Sequence, residues 1–269
     1  MAGHRAAARR PYPRSQHFLR RPDLAARIVA EAGVCAEHLV LDVGAGTGRL
    51  TAELAKAAGR VIAVELDPQL AGRLRGRWSN VEVVERDAAE LAHPAVPFRV
   101  VANLPFDRTT DLLHHLLDDP ATPLERADLV VEWGVALKRG VPVPSSRNGV
   151  LWGATYDVRI ARRPPASAFA PPPATDAGVL VFTRRGRPLV GADRFAAYAR
   201  FVGLGFRRGL GAAASQRALR RLVPPGASAR DLDAHLWAEL FHESNGPATV
   251  GRSSQKTVHL AHRPRRRRA

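Results

Sequence analysis

The stretch Leu39-Val40-Leu41-Asp42-Val43-Gly44-Ala45-Gly46-Thr47-Gly48 constrains this chain more than any other feature. A short, nearly unbroken apolar run that stops at glycine reads as a strand buried on both faces. Residues 50–58 follow with helical spacing, so the glycines sit in a strand-to-helix turn, where backbone can approach a ligand closely. The alternation continues. Residues 61–64 read as a strand ending in Glu65, and 68–78 as a helix. Strands follow at 81–84, ending near Asp87, and at 98–102, ending at Asn103. Residues 112–117 read as a helix and 127–132 as a fifth strand. Strands alternating with helices imply a doubly wound parallel α/β sheet. Residues 22–29 carry a helical pattern ahead of it. Two later segments, 151–160 and 179–183, read as further strands, an antiparallel pair. Residues 184–188 read as a linker, and 193–241 as helical, with Phe195, Tyr198, Phe201 and Val202 on one apolar face.

Ligands of such sheets bind at the carboxyl ends of the strands. Four consecutive strand ends here carry glycine, Glu65, Asp87 and Asn103. Glu65 lies 17 residues beyond Gly48, where a carboxylate can accept two hydrogen bonds from adjacent ribose hydroxyls. A dinucleotide would place a pyrophosphate at the helix N-terminus. S-adenosylmethionine has no phosphate and needs close backbone and small residues for its aminoacyl end. The pattern from Asp42 to Gly48 resembles the first motif of class I methyltransferases. By that likeness Gly44, Gly46, Glu65 and Asp87 are candidate cofactor-binding residues, with Asn103 beside them.

The tetrapeptide Asn103-Leu104-Pro105-Phe106 suits a second task. The exocyclic amine of adenine is a poor nucleophile because its lone pair is delocalised into the ring. A site that alkylates it must hold the amine and let the nitrogen pyramidalise. Asn103 can accept one N–H through its side-chain oxygen, and a backbone carbonyl near Leu104 the other, on a turn stiffened by Pro105. Phe106 can stack on an extruded base, a contact worth about 1–3 kcal/mol. These four residues are the candidate catalytic set.

Charge points to the partner. Residues 1–30 carry a net charge of +6, residues 31–183 carry −3, and residues 184–269 carry +13, for +16 in all. Two basic ends around a mildly acidic middle form the electrostatic footprint of a polyanion binder. Arg207, Arg208, Arg217, Arg220 and Arg221, in or near predicted helices, are candidate phosphate contacts. An anionic membrane surface would instead favour an amphipathic basic helix, a face that the tail Arg263-Pro264-Arg265-Arg266-Arg267-Arg268 lacks. No apolar run approaches the roughly 20 residues of a membrane span. The single cysteine, Cys35, makes no internal disulfide, and no Cys/His cluster suggests a metal. A cytoplasmic monomer is expected.

Taken together, Ser15-Gln16-His17-Phe18-Leu19, the glycine turn, Glu65, Asp87 and Asn103–Phe106 occur in an order that resembles the ribosomal RNA adenine N6-methyltransferases. That group includes the macrolide-resistance methylases of 23S rRNA and the 16S rRNA dimethyladenosine transferases. The likeness runs over residues 14–183. It implies a class I (Rossmann-like) methyltransferase domain at 15–184 and a small all-helical RNA-binding domain at 185–262, between a flexible basic arm (1–14) and a basic tail (263–269). It implies S-adenosyl-L-methionine as cofactor, held also by His17 and Leu19, and Phe169 as a second aromatic at the target adenine. The family usually has Asn where His17 stands, and tyrosine is common in the wider class where Phe106 stands. Residues 131–139 resemble the macrolide-resistance branch. The first expectation is therefore 23S rRNA methylation conferring macrolide-lincosamide-streptogramin resistance. The alternatives are 16S rRNA dimethylation and a nucleic-acid-binding relative without catalysis.

Overall fold

A computed structural model of the chain describes residues 16–140 and 146–245. The arm at 1–14 and the tail at 263–269 lie outside the described residues. In chain order the elements are β1 (Phe18–Leu19), α1 (Pro22–Glu31), β2 (Leu39–Val43), α2 (Arg49–Ala57), β3 (Arg60–Glu65), α3 (Pro68–Leu74), β4 (Val81–Glu85), β5 (Phe98–Asn103), α4 (Thr109–Leu117), β6 (Leu124–Glu132), α5 (Trp133–Gly140), α6 (Arg147–Thr155), β7 (Tyr156–Arg162), β8 (Phe169–Ala170), β9 (Ala177–Arg184), α7 (Ala192–Arg208), α8 (Leu210–Ala213), α9 (Gln216–Leu222) and α10 (Ala234–Ser244). The described residues fall into two compact units. One holds those up to 116 with 122–133 and 163–179, and the other holds 117–121, 134–162 and those from 180 on.

The first unit is built on parallel strands in the order β4-β3-β2-β5-β6. Leu41 pairs with Ile62 on one side and Val100 on the other, and Ala102 with Leu129. The chain runs outward from β2 through β3 to β4, then returns to lay β5 on the other flank of β2. This reversal opens a crevice at the carboxyl ends of β2 and β5, the switch point where such sheets take ligands. The central strands are apolar throughout because both faces are covered; Val40, Val61, Val100 and Leu129 have no exposed surface. The edge strand β4 is different. Its Glu82 and Glu85 are paired with Arg60 and Arg75, and charges along a free edge discourage pairing with another chain. Outside this sheet, β1 pairs antiparallel with β8, aligning Phe18 with Ala170 and Leu19 with Phe169.

The second unit holds an aromatic core. Tyr198, Val202, Leu232, Trp237 and Leu240 are fully buried, and Phe201 and Phe241 pack edge-on to each other. Gly205 admits Trp237 against the backbone of α7, since a Cβ there would meet the indole at 2.4 Å. Val150, Leu151 and Ala154 of α6 belong to the same core.

Three expectations need correction. The helical run expected at 193–241 is interrupted over 223–233, where Pro224, Pro225 and Gly226 turn the chain. Residues 151–160 are not one strand: α6 runs to Thr155 and β7 begins at Tyr156. The Ser146 side chain caps α6 by accepting from the Gly149 N–H, and residues 149–155 are buried on every side. A helix buried all round has no polar face, so its apolar run has no readable period. The helix expected over 68–78 stops at Leu74, because Gly76 adopts φ +74° and turns the chain.

Candidate active site

The glycine turn is a backbone cradle. Gly44, Gly46 and Gly48 have φ of +71°, +57° and +80°, a region that favours glycine. The Gly44 and Ala45 N–H groups donate to the Val64 carbonyl at 2.9 and 3.1 Å, tying the turn to β3. A Cβ on Gly46 would lie 2.8 Å from the Phe18 ring, and one on Gly44 would sit 3.4 Å from the Pro105 ring. Three separate segments thus converge on one loop. The cleft beside it is lined by Phe18, Leu19, Asp42, Gly44, Thr47 and Asn103.

Glu65 holds this loop in place, and Asp87 lies farther along the same edge. Glu65, 6% exposed, accepts from the Gly46 N–H at 2.7 Å through Oε2 and from the Asp67 N–H at 2.9 Å through Oε1. A carboxylate has about four acceptor sites, so two bonds leave room for ribose hydroxyls. Asp87 accepts from the Ala89 N–H and from Arg108 at 3.2 Å. Arg108 had no signal in the sequence, because its pairing depends on how β5 leads into α4.

Asp42, at the foot of the turn, is 1% exposed and accepts from the Thr51 hydroxyl at 2.6 Å. Burial pushes its carboxyl up to about 7, with the nearby charge of Glu65 adding to the rise and Thr51 opposing it. The folded chain therefore holds this proton more tightly than the unfolded chain. The stability so gained is complete below about pH 4 and is lost as pH rises to about 7. Asp42→Asn keeps an acceptor for Thr51 and removes the titration. Its Tm should match or trail the parent near pH 4 and exceed it by several degrees at pH 8. Parallel Tm curves across that range would remove Asp42 from this account.

Asn103 closes the cleft at the end of β5. Its Nδ2 donates to the His17 carbonyl at 2.8 Å, while its buried Oδ1 has no partner among the described residues. The Leu104 N–H is fixed to the Val130 carbonyl, and its side chain is 1% exposed. The Pro105 carbonyl accepts from the Thr109 hydroxyl and the Arg108 N–H at 3.0 Å each, which locks the turn onto α4. The His17 Nδ1 bonds the Pro171 carbonyl at 2.8 Å, and its ring lies 5.2 Å from that of Phe106. Phe106 meets Phe169 edge-on at 6.3 Å. Phe169 is 1% exposed, and Leu19, its partner across β1 and β8, is 4% exposed.

The structure thus brings Leu19, His17, Asn103–Phe106 and Phe169 together, with the glycine turn, Glu65 and Asp87 along the same sheet edge. The five arginines lie in the other unit. Arg207, Arg208, Arg217, Arg220 and Arg221 are exposed, and Arg221 pairs with Glu243. Among the described residues no His/Cys/Asp/Glu group could hold a metal ion, and no helix is long and apolar enough to cross a membrane.

A parallel sheet of this order with a glycine cradle at its switch point is the architecture of a class I methyltransferase. The family described as ribosomal RNA adenine dimethylase matches residues 8–209, and this chain belongs to it. The mycinamicin-resistance protein MyrB of Micromonospora griseorubida is 35% identical over 256 residues, covering 88% of this chain and 81% of that protein. An rRNA adenine N-6-methyltransferase of Bacillus licheniformis is 31% identical over 173 residues, 63% of this chain and 60% of that protein's length. The crystal structure of the 23S rRNA methyltransferase ErmE superposes with a TM-score of 0.76 at 29% identity, covering 85% of this chain and all of that one.

Proposed function

We propose that this protein methylates N6 of an adenine in 23S rRNA, using S-adenosyl-L-methionine, and so confers resistance to macrolide, lincosamide and streptogramin antibiotics. The observation that carries the chemistry is the buried, unpartnered Oδ1 of Asn103 at the open rim of the sheet. A buried acceptor without a donor costs about 1–3 kcal/mol, a cost that an incoming amine N–H removes. The names of MyrB and ErmE favour 23S rRNA and resistance over 16S rRNA.

The residues fit the methyl donor. The positive-φ glycines let the turn pack tightly beneath Phe18 and Pro105 at the cleft, Glu65 keeps acceptor capacity for a ribose, and Asp87 lies along the same edge. His17 and Leu19 bound the side towards the methionine end. When bound, S-adenosylmethionine supplies an electrophilic methyl group. Asn103 accepts from the target amine, and the Leu104–Pro105 backbone holds the turn that presents it. Phe106 stacks on the base, with Phe169 bracing its ring edge-on. Orientation is the main device, and the proton that leaves nitrogen passes to water. In this reading residues 15–184 form the transfer domain and 185–262 hold RNA, with Arg207, Arg208, Arg217, Arg220 and Arg221 at backbone phosphates. The enzyme acts in the cytoplasm as a monomer.

Expression in a macrolide-sensitive bacterium tests this directly. Drug tolerance should rise, and mass spectrometry of 23S rRNA should find one newly methylated adenine. Unchanged tolerance with unmodified 23S rRNA would overturn the assignment. Rescue of a strain lacking its 16S rRNA dimethyltransferase would move the activity to the small subunit.

A further inference from the structure

We propose that Arg147 and Arg207 form a clamp for one backbone phosphate of the bound RNA, with Gly203 as its floor. The inference rests on the rRNA reading above and adds a specific site to it. Arg147 opens α6, and Arg207 lies in the last turn of α7, four residues after Gly203 and so on the same helix face. A Cβ placed on Gly203 would stand 3.1 Å from Nη1 of Arg207 and 3.3 Å from Nε of Arg147. Two guanidinium groups from different helices therefore crowd one bare glycine.

Two positive groups over one small patch attract an anion more strongly than either does alone. Four other arginines of this unit are engaged by protein groups. Arg139 donates to Ser146 and lies over Trp152, Arg185 faces Asp157, Arg221 faces Glu243, and Arg194 lies over Phe241. Arg147 and Arg207 enter no ion pair among the described residues, and the bond of Arg147 to Asn148 is 3.4 Å long. Both are exposed, so the anion comes from outside. Two planar donor forks converging from two helices match the non-bridging oxygens of a phosphodiester. A larger residue at position 203 would fill that space.

The test uses the full chain and a fluorescein-labelled hairpin copied from 23S rRNA, with binding read by anisotropy across about 50–200 mM KCl. For Arg147→Gln/Arg207→Gln, the slope of log affinity against log salt should fall by about 0.7–0.9, the share of one phosphate. Affinity should drop about 10-fold or more, while calorimetric affinity for S-adenosylmethionine stays unchanged. Gly203→Glu removes less charge but sets a carboxylate between the two guanidiniums, and it should lose as much affinity as the double variant. Arg27→Gln/Arg73→Gln removes two exposed charges from α1 and α3 and should change affinity about twofold or less. If the parent binds and methylates the hairpin while the double variant behaves like this control, or if Gly203→Glu binds normally, the clamp is overturned and the rRNA reading stands. A parent that binds with the expected salt slope but methylates nothing overturns the methylation reading and leaves the clamp in place.

Discussion

Asn103→Ala should lower the rate of methyl transfer by about 10²–10³-fold, the usual cost of deleting one pre-set polar group at a reacting centre. The side chain has two roles. Its Oδ1 is the buried acceptor proposed for the target amine, and its Nδ2 anchors the His17 carbonyl beside the cleft. Loss of the first should appear in kcat, and loss of the second in cofactor affinity. Asn103→Asp separates them. The carboxylate still offers an acceptor to the amine but sets an anion against the His17 carbonyl, so cofactor affinity should suffer more than it does in the alanine variant. Tritiated methyl incorporation into rRNA, with calorimetry for the cofactor, reads both. An alanine variant with parental turnover would remove Asn103 from the chemistry. Binding of RNA should survive either change, because the arginines proposed to contact phosphate lie in the other unit.

Glu65→Gln should weaken cofactor binding by about 100-fold. The carboxylate accepts from two backbone N–H groups, on Gly46 and Asp67, and both bonds are charge-assisted. The amide keeps one acceptor and presents an NH₂ to the other N–H donor, so one bond is lost and the loop is pushed away. With about 1.5–3 kcal/mol for each bond to a charged group, the combined loss at loop and ribose is on the order of 3 kcal/mol. Titration calorimetry with S-adenosylmethionine measures it, and circular dichroism checks that the sheet is intact. A glutamine variant with parental affinity would mean that Glu65 only builds the turn.

Much of this fold was legible because parallel strands announce themselves. The limits of β2 follow from five residues of near-continuous apolar character between a polar stretch and a glycine, and β5 ends where its apolar run meets the polar Asn103. The cofactor edge was legible as well, since parallel strands put all their carboxyl ends on one side. The pairings between those ends were not legible. Nothing in the chain order says that Glu65 turns back to the glycine loop, that Arg108 reaches Asp87, or that residues 17–19 lie along 169–170. These contacts join segments far apart in sequence, and their side chains are also ordinary turn residues. The burial of Asp42 was hidden too, because one carboxylate inside an apolar run does not show whether its environment will let it ionise.

The short β1–β8 ladder sets a schedule for a growing chain. His17 and Pro171 are separated by 154 positions, yet their contact adjoins the amide that closes the cleft. A polypeptide still emerging from the ribosome cannot assemble this corner until the segment around residue 170 has cleared the exit tunnel. A member of this rRNA-methylating family therefore gains its pocket only after the segment around residue 170 has been translated.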